Sequence, residues 1–149
     1  MGRPRVYTMV IASRLSAITQ VVEAVMARAE PYHYGENARF AIRLALDEGL
    51  SNAIRHGNRN NPRKSVTVRY SVNEQRVRVS ICDEGPGFTP GAVPDCTLEE
   101  NLCRPGGRGV MLMKAYMTSV RFNAAGNCVT LVKKRKPAAP AARRPRGGR

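Results

Sequence analysis

Two stretches of strict apolar alternation, Ser65 to Val72 and Arg76 to Cys82, follow one another across a tight connection at Asn73-Glu74. Val66, Val68, Tyr70 and Val72 alternate in the first, and Val77, Val79 and Ile81 in the second. Successive strand side chains point to opposite faces, so each segment has one apolar face and one basic or hydroxyl face. The pair reads as an antiparallel hairpin whose apolar face needs a cover.

Helical periodicity supplies that cover. Val6 to Ala12 is rich in Val, Ile, Tyr and Thr and predicts a strand, and Ser13 or Ser16 is placed to cap a helix running to about Ala29. Within it Ile18, Val21, Val22, Val25 and Met26 recur at helical spacing. Pro31 breaks the chain, and a second pattern from Asn37 to His56 ends at Gly57 with Pro62 beyond. After Phe88 periodicity is lost through a Pro/Gly-rich loop to about Gly109. A helix from Val110 to Met117 and a hairpin of Ser119 to Asn123 with Asn127 to Lys133 complete the order β-α-α-β-β-loop-α-β-β. This predicts an α+β two-layer sandwich, a mixed and mainly antiparallel sheet with helices on one face.

A chain of 149 residues with 42% hydrophobic and 24% charged residues fits one globular domain. Of the net charge of +14, eight positive charges lie between Lys133 and Arg149 with no acidic residue, leaving +6 on the rest. With Pro137, Pro140 and Pro145 among Ala and Gly, this stretch cannot bury enough apolar area to offset its chain entropy. The expected organisation is a domain over residues 1–135 and a disordered basic tail over 136–149. Such a tail attracts phosphates non-specifically. No apolar run has the length of a membrane span and no signal-peptide pattern opens the chain, so the cytoplasm is the expected compartment. Cys82, Cys96, Cys103 and Cys128 form no CxxC pair, which indicates neither a zinc site nor a dithiol motif, and all four are expected reduced.

Three segments carry chemistry. On the long helix Glu48 and Asn52 are four apart and share a side, flanked by the small residues Ala41 and Ala45, which leave room. The carboxylate can take a proton from a hydroxyl, and the amide oxygen can bind Mg²⁺. Asp83-Glu84-Gly85-Pro86-Gly87-Phe88 follows a strand end, where Asp83 can accept from an exocyclic amine such as adenine N6 while the glycines admit a flat ligand. Arg104-Pro105-Gly106-Gly107-Arg108-Gly109 precedes an apolar helix, an arrangement that exposes N–H groups to an anion, with Arg104 and Arg108 adding charge. It lacks the Gly-Lys-Ser/Thr ending of a P-loop.

Taken in this order, the motifs resemble those of the GHKL ATPase superfamily. Its Glu-x-x-x-Asn helix, Asp-x-Gly-x-Gly loop and Gly-x-Gly loop are matched by Glu48 and Asn52, by Asp83, Gly85 and Gly87, and by Gly107 and Gly109. Within it, EGLSNAIRHGN and DEGPGF are most similar to the stand-alone anti-sigma-factor serine kinases. The resemblance covers roughly residues 6 to 133. It implies that ATP and Mg²⁺ are the cofactors, with Asn52 on Mg²⁺, Asp83 on adenine, and Gly85, Gly87, Gly107, Arg108 and Gly109 around the nucleotide. Glu48 is then the general base that activates a serine of a STAS-type anti-anti-sigma factor. Thr89 to Pro105 becomes a lid, and Arg104, ahead of Arg108, steadies the γ-phosphate. A sigma factor is the second implied partner, and a homodimer is compatible although no sequence feature requires it. Arg108 departs from the apolar residue usual between the last glycines, as does Met117-Thr118-Ser119-Val120 from the usual acidic pair.

Two other readings compete. One is a nucleotide-dependent binding module of the same fold without phosphoryl transfer. The other is a basic nucleic-acid-binding protein, disfavoured because there is no reading helix or aromatic stacking stripe and most of the excess charge sits in the tail.

Overall fold

A computed structural model describes residues 2–87 and 107–136. The strands are β1 (Tyr7–Ala12), β2 (Ser65–Val72), β3 (Arg76–Cys82), β4 (Ser119–Phe122) and β5 (Cys128–Lys134), and the helices α1 (Ile18–Ala29), α2 (Glu36–Asn52) and α3 (Gly107–Tyr116). The sheet order is β1-β2-β3-β5-β4. Every pairing is antiparallel, so the mixed sheet expected from the sequence is corrected to an antiparallel one among the described residues.

The hairpin alternation decides which face is covered. Val66, Val68, Tyr70, Val77, Val79, Ile81, Val129 and Leu131 are buried, and against them lie Val21, Val22, Val25 and Met26 of α1 and Ile42, Leu46 and Leu50 of α2. The opposite face carries Arg69, Arg78, Ser80, Thr130 and Arg121, brought together by the registers Arg69↔Ser80, Ser80↔Thr130 and Arg121↔Thr130. The structure is thus the expected two-layer α+β sandwich. Gly49 lets α2 lie close on the sheet, since a β-carbon there would stand 2.8 Å from Ile81 Cδ1.

Several local expectations change. Neither Ser13 nor Ser16 caps α1. Ser13 Oγ instead donates to Lys64 O at 2.8 Å, tying the exit of β1 to the entry of β2. Ala41 and Ala45, expected to leave open room beside Glu48, are buried in the core at 1% and 0% exposure. Helix α3 begins at Gly107 rather than Val110, so the Gly-rich segment's last residues form its first turn. The expectation that all four cysteines are reduced is overturned at one pair. Cys82 and Cys128 are register partners on neighbouring strands and are joined by a disulfide. Cys96, Cys103, the expected lid Thr89 to Pro105 with Arg104, the side chain of Arg108 and residues 137–149 of the expected tail lie outside the described residues.

Candidate functional site

The site is organised along α2. Four residues separate Glu48 from Asn52, so both partly buried side chains emerge from one flank. At that flank the first turn of α3 arrives: a β-carbon on Gly109 would stand 2.7 Å from Glu48 Oε2 and 3.1 Å from Asn52 Nδ2. Gly109 therefore touches both side chains across 57 and more residues of sequence, and only a glycine permits the approach. The first N–H groups of an α-helix have no partner within the helix, so the start of α3 brings free donors to the carboxylate and amide.

Beyond Asn52 the helix widens into a π-turn over Ala53–Gly57, a local form frequent at functional sites. Gly57 then faces the residue that follows β3. A β-carbon on Gly57 would collide with the Asp83 carboxyl group, and one on Gly85 would collide with the Gly57 carbonyl. The loop after β3 is thus seated directly on the end of α2. Asp83 N–H donates to Asn127 O at 2.9 Å, and Asp83 Oδ1 accepts from Gly85 N–H at 2.8 Å. Burial pushes the Asp83 carboxyl above the usual carboxylate range, against the Gly85 N–H and the Lys64 ammonium, which both pull it down.

Gly87 has φ +75° and no space for a side chain, because a β-carbon would overlap Ala125 O in the turn between β4 and β5. The missing side chains of Gly85 and Gly87 therefore serve close backbone packing.

One residue that motif reading passed over stands at the centre of this arrangement. Asn58 is 1% exposed, and its amide donates to Ser13 Oγ at 2.8 Å and Ser65 O at 2.9 Å. Its Oδ1 accepts from Glu84 N–H at 2.8 Å. Asn58 closes the EGLSNAIRHGN stretch, but a polar residue just past a helix end resembles a turn residue, and its three partners lie elsewhere in the chain.

The structure thus brings Glu48, Asn52 and Gly109 together at α2, seats Asp83 and Gly85 against Gly57, and packs Gly87 on the turn between β4 and β5. Glu48 and Gly57 are separated by the last turn of α2 and the π-turn that follows it, so the two clusters lie at successive places along the same run of chain. Among the described residues no group of three or more His, Cys, Asp or Glu could hold a metal ion by itself, and no helix is long and apolar enough to cross a membrane. The Asn52 amide oxygen is a hard donor that suits Mg²⁺ when the other ligands come from phosphate and water.

The chain is a two-layer sandwich with a carboxylate and an amide on one helix, an Asp after a strand end and a glycine at the following helix start. The histidine kinase-like ATPase domain matches residues 11–133, and the chain belongs to that family. It is 30% identical over 105 residues to the serine-protein kinase RsbW of Bacillus subtilis (strain 168), covering 62% of each chain. It is 28% identical over 99 residues to the anti-sigma F factor of Clostridium beijerinckii, covering 64% of this chain and 68% of that one. The chain spans less than two thirds of the length of the Bacillus relative. The RsbU and RsbW domains of a Mycobacterium tuberculosis protein share the fold, at TM-score 0.60 and 15% identity over 90% of this chain and 34% of that one.

Proposed function

We propose that this chain is an ATP-binding anti-sigma factor with serine-protein kinase activity, which phosphorylates a STAS-type anti-anti-sigma factor and sequesters a sigma factor. The observation that supports the reading is the convergence of Glu48, Asn52 and Gly109, a carboxylate and an amide at the start of a helix. The names of the relatives, a serine-protein kinase and an anti-sigma factor, point the same way.

In this reading Asp83 accepts a hydrogen bond from adenine N6 at the Gly57 end of α2. The triphosphate runs back along the helix toward Glu48, with the N–H groups at the start of α3 over its phosphates. Asn52 Oδ1 would hold Mg²⁺ together with the phosphates, and a bound Mg²⁺ would supply neutralisation of the charge that develops on the transferring phosphoryl group. Glu48 accepts the proton of the attacking serine hydroxyl while the serine oxygen bonds to the γ-phosphorus and its bond to the bridging oxygen breaks, releasing ADP. Arg104 and Arg108 are proposed to steady the γ-phosphate, and Gly107 belongs to the same phosphate-facing segment.

The test is phosphotransfer from labelled ATP to the STAS-type protein of the same organism. Serine labelling with the wild-type chain and none with Glu48→Ala is expected. Tight nucleotide binding with no labelling of any such partner would leave a nucleotide-dependent binding module and contradict the kinase reading.

A further inference from the structure

We propose that Asn58 is the positioning residue that aims Asp83 at the nucleotide base, and so sets base selectivity without touching the ligand. The inference rests on the reading of Asp83 as the adenine acceptor. It names a residue which that reading does not use.

Asp83 stands between two peptides, and the direction of its carboxylate depends on how both are held; each is fixed by one hydrogen bond. Asp83 N–H is bound by Asn127 O at 2.9 Å, and Glu84 N–H by Asn58 Oδ1 at 2.8 Å. The first is a backbone contact that extends the end of the β3–β5 ladder. The second is a side chain reaching out from the end of α2, the same end on which the carboxylate rests through Gly57. Asn58 thus couples the height of the loop to the helix that carries Asn52 and Glu48.

Asn58 cannot turn away from this task. Both amide hydrogens are committed, one to Ser13 Oγ and one to Ser65 O. Its own N–H donates to Ala53 O at 2.8 Å and its carbonyl accepts from Asn61 N–H at 3.0 Å. A buried amide with both donors fixed has only one orientation for its oxygen, because a flip would bring that oxygen against the Ser65 carbonyl. The Ser65 N–H in turn is bound by the Glu84 carboxylate, which closes a ring from Asn58 through Ser65 and Glu84 back to Asn58. Ser13 buttresses the ring from outside the site.

The experiment compares ATP and GTP affinity, by calorimetry with Mg²⁺, in the wild-type chain, Asn58→Ala and Ser13→Ala. Guanine offers a carbonyl where adenine offers the N6 amine, so a correctly aimed Asp83 favours ATP. Losing one charge-neutral hydrogen bond to the loop is expected to weaken ATP about tenfold in Asn58→Ala while GTP affinity changes little, so that the ATP:GTP ratio collapses. Ser13→Ala removes only the buttress, and a fall of about threefold in the same ratio is expected. It carries the test if Asn58→Ala does not fold. In Asn58→Ala the Glu84 amide should lose its hydrogen-exchange protection while the Asp83 amide keeps it. Parallel losses for ATP and GTP, or an unchanged ratio in the folded variants, would overturn the proposal. A wild-type chain with no preference for ATP would instead overturn the adenine reading itself, and a Glu84 amide that exchanges freely in the wild type would overturn the positioning contact alone.

Discussion

The carboxylate of Asp83 lies where a β-carbon of residue 57 would be, so Gly57 at the end of α2 and Asp83 at the end of β3 form one packed unit. Gly57→Ala must displace the carboxylate, since the Gly57 backbone lies outside the left-handed region and itself tolerates alanine, so the Asp83 carboxyl group is what has to give way. The expected result is a loss of ATP affinity of at least about tenfold, with an overpacking cost in stability of about 1–3 kcal/mol. Calorimetric titration beside a thermal melt separates the two.

Asp83 also makes the protein respond to acid in a defined direction. Its folded pKa lies above the ordinary value of 3.8, mainly through burial. An acid whose folded pKa is raised binds more protons folded than unfolded between the two values, so its contribution to stability grows as pH falls through that window and shrinks as pH rises. ATP affinity should move oppositely, because the acceptor is lost on protonation. Titrations carried from neutral pH down toward the ordinary carboxylate range should show affinity falling on acidification, with the fall setting in above the ordinary value of 3.8, and Asp83→Asn should remove that dependence.

Two glycines with contrasting surroundings test the packing account. Gly87 combines φ +75° with a collision against Ala125 O, whereas a β-carbon on Gly35 meets nothing within 4 Å. Gly87→Ala is expected to cost about 2 kcal/mol or more, from strain and displacement together. At Gly35, the residue preceding α2, alanine should cost less than about 1 kcal/mol. Urea denaturation of both variants measures the difference.

The Cys82–Cys128 bridge joins the end of β3 to the start of β5, next to Asp83 and to the Asn127 carbonyl that binds it. Alkylation under non-reducing conditions should leave these two thiols unmodified. Replacing both by serine should lower stability by about 2–4 kcal/mol, since the bridge closes a loop of 46 residues. Full alkylation of the native protein at both positions would show that the pair is a dithiol.

Local pattern made some elements legible and left others hidden. The limits of β2 and β3 were readable to the residue, because alternation and a short connection are properties of adjacent positions. The Glu48 and Asn52 pair was readable because helical spacing places them on one side whatever surrounds them. The contacts made across the fold were not. Nothing local in Cys82 shows that β5 pairs with β3 in the register that sets Cys128 opposite it. Ser13 read as a helix cap because serine suits that place, yet a partner 51 residues away claimed its hydroxyl. At Gly85 and Gly87 the sequence shows the glycines but not the atoms that exclude their side chains, which belong to Gly57 and Ala125.

The central claim is that Asn52 and Glu48 serve one nucleotide in different ways. Calorimetric titration of Mg·ATP into the wild-type chain, Asn52→Ala, Glu48→Ala and a chain ending at Lys133 tests it most directly. Saturable binding that is lost with Asn52→Ala, kept with Glu48→Ala and indifferent to the tail is the expected result. Absent binding, or salt-sensitive binding that survives Asn52→Ala and disappears with the tail, would contradict it.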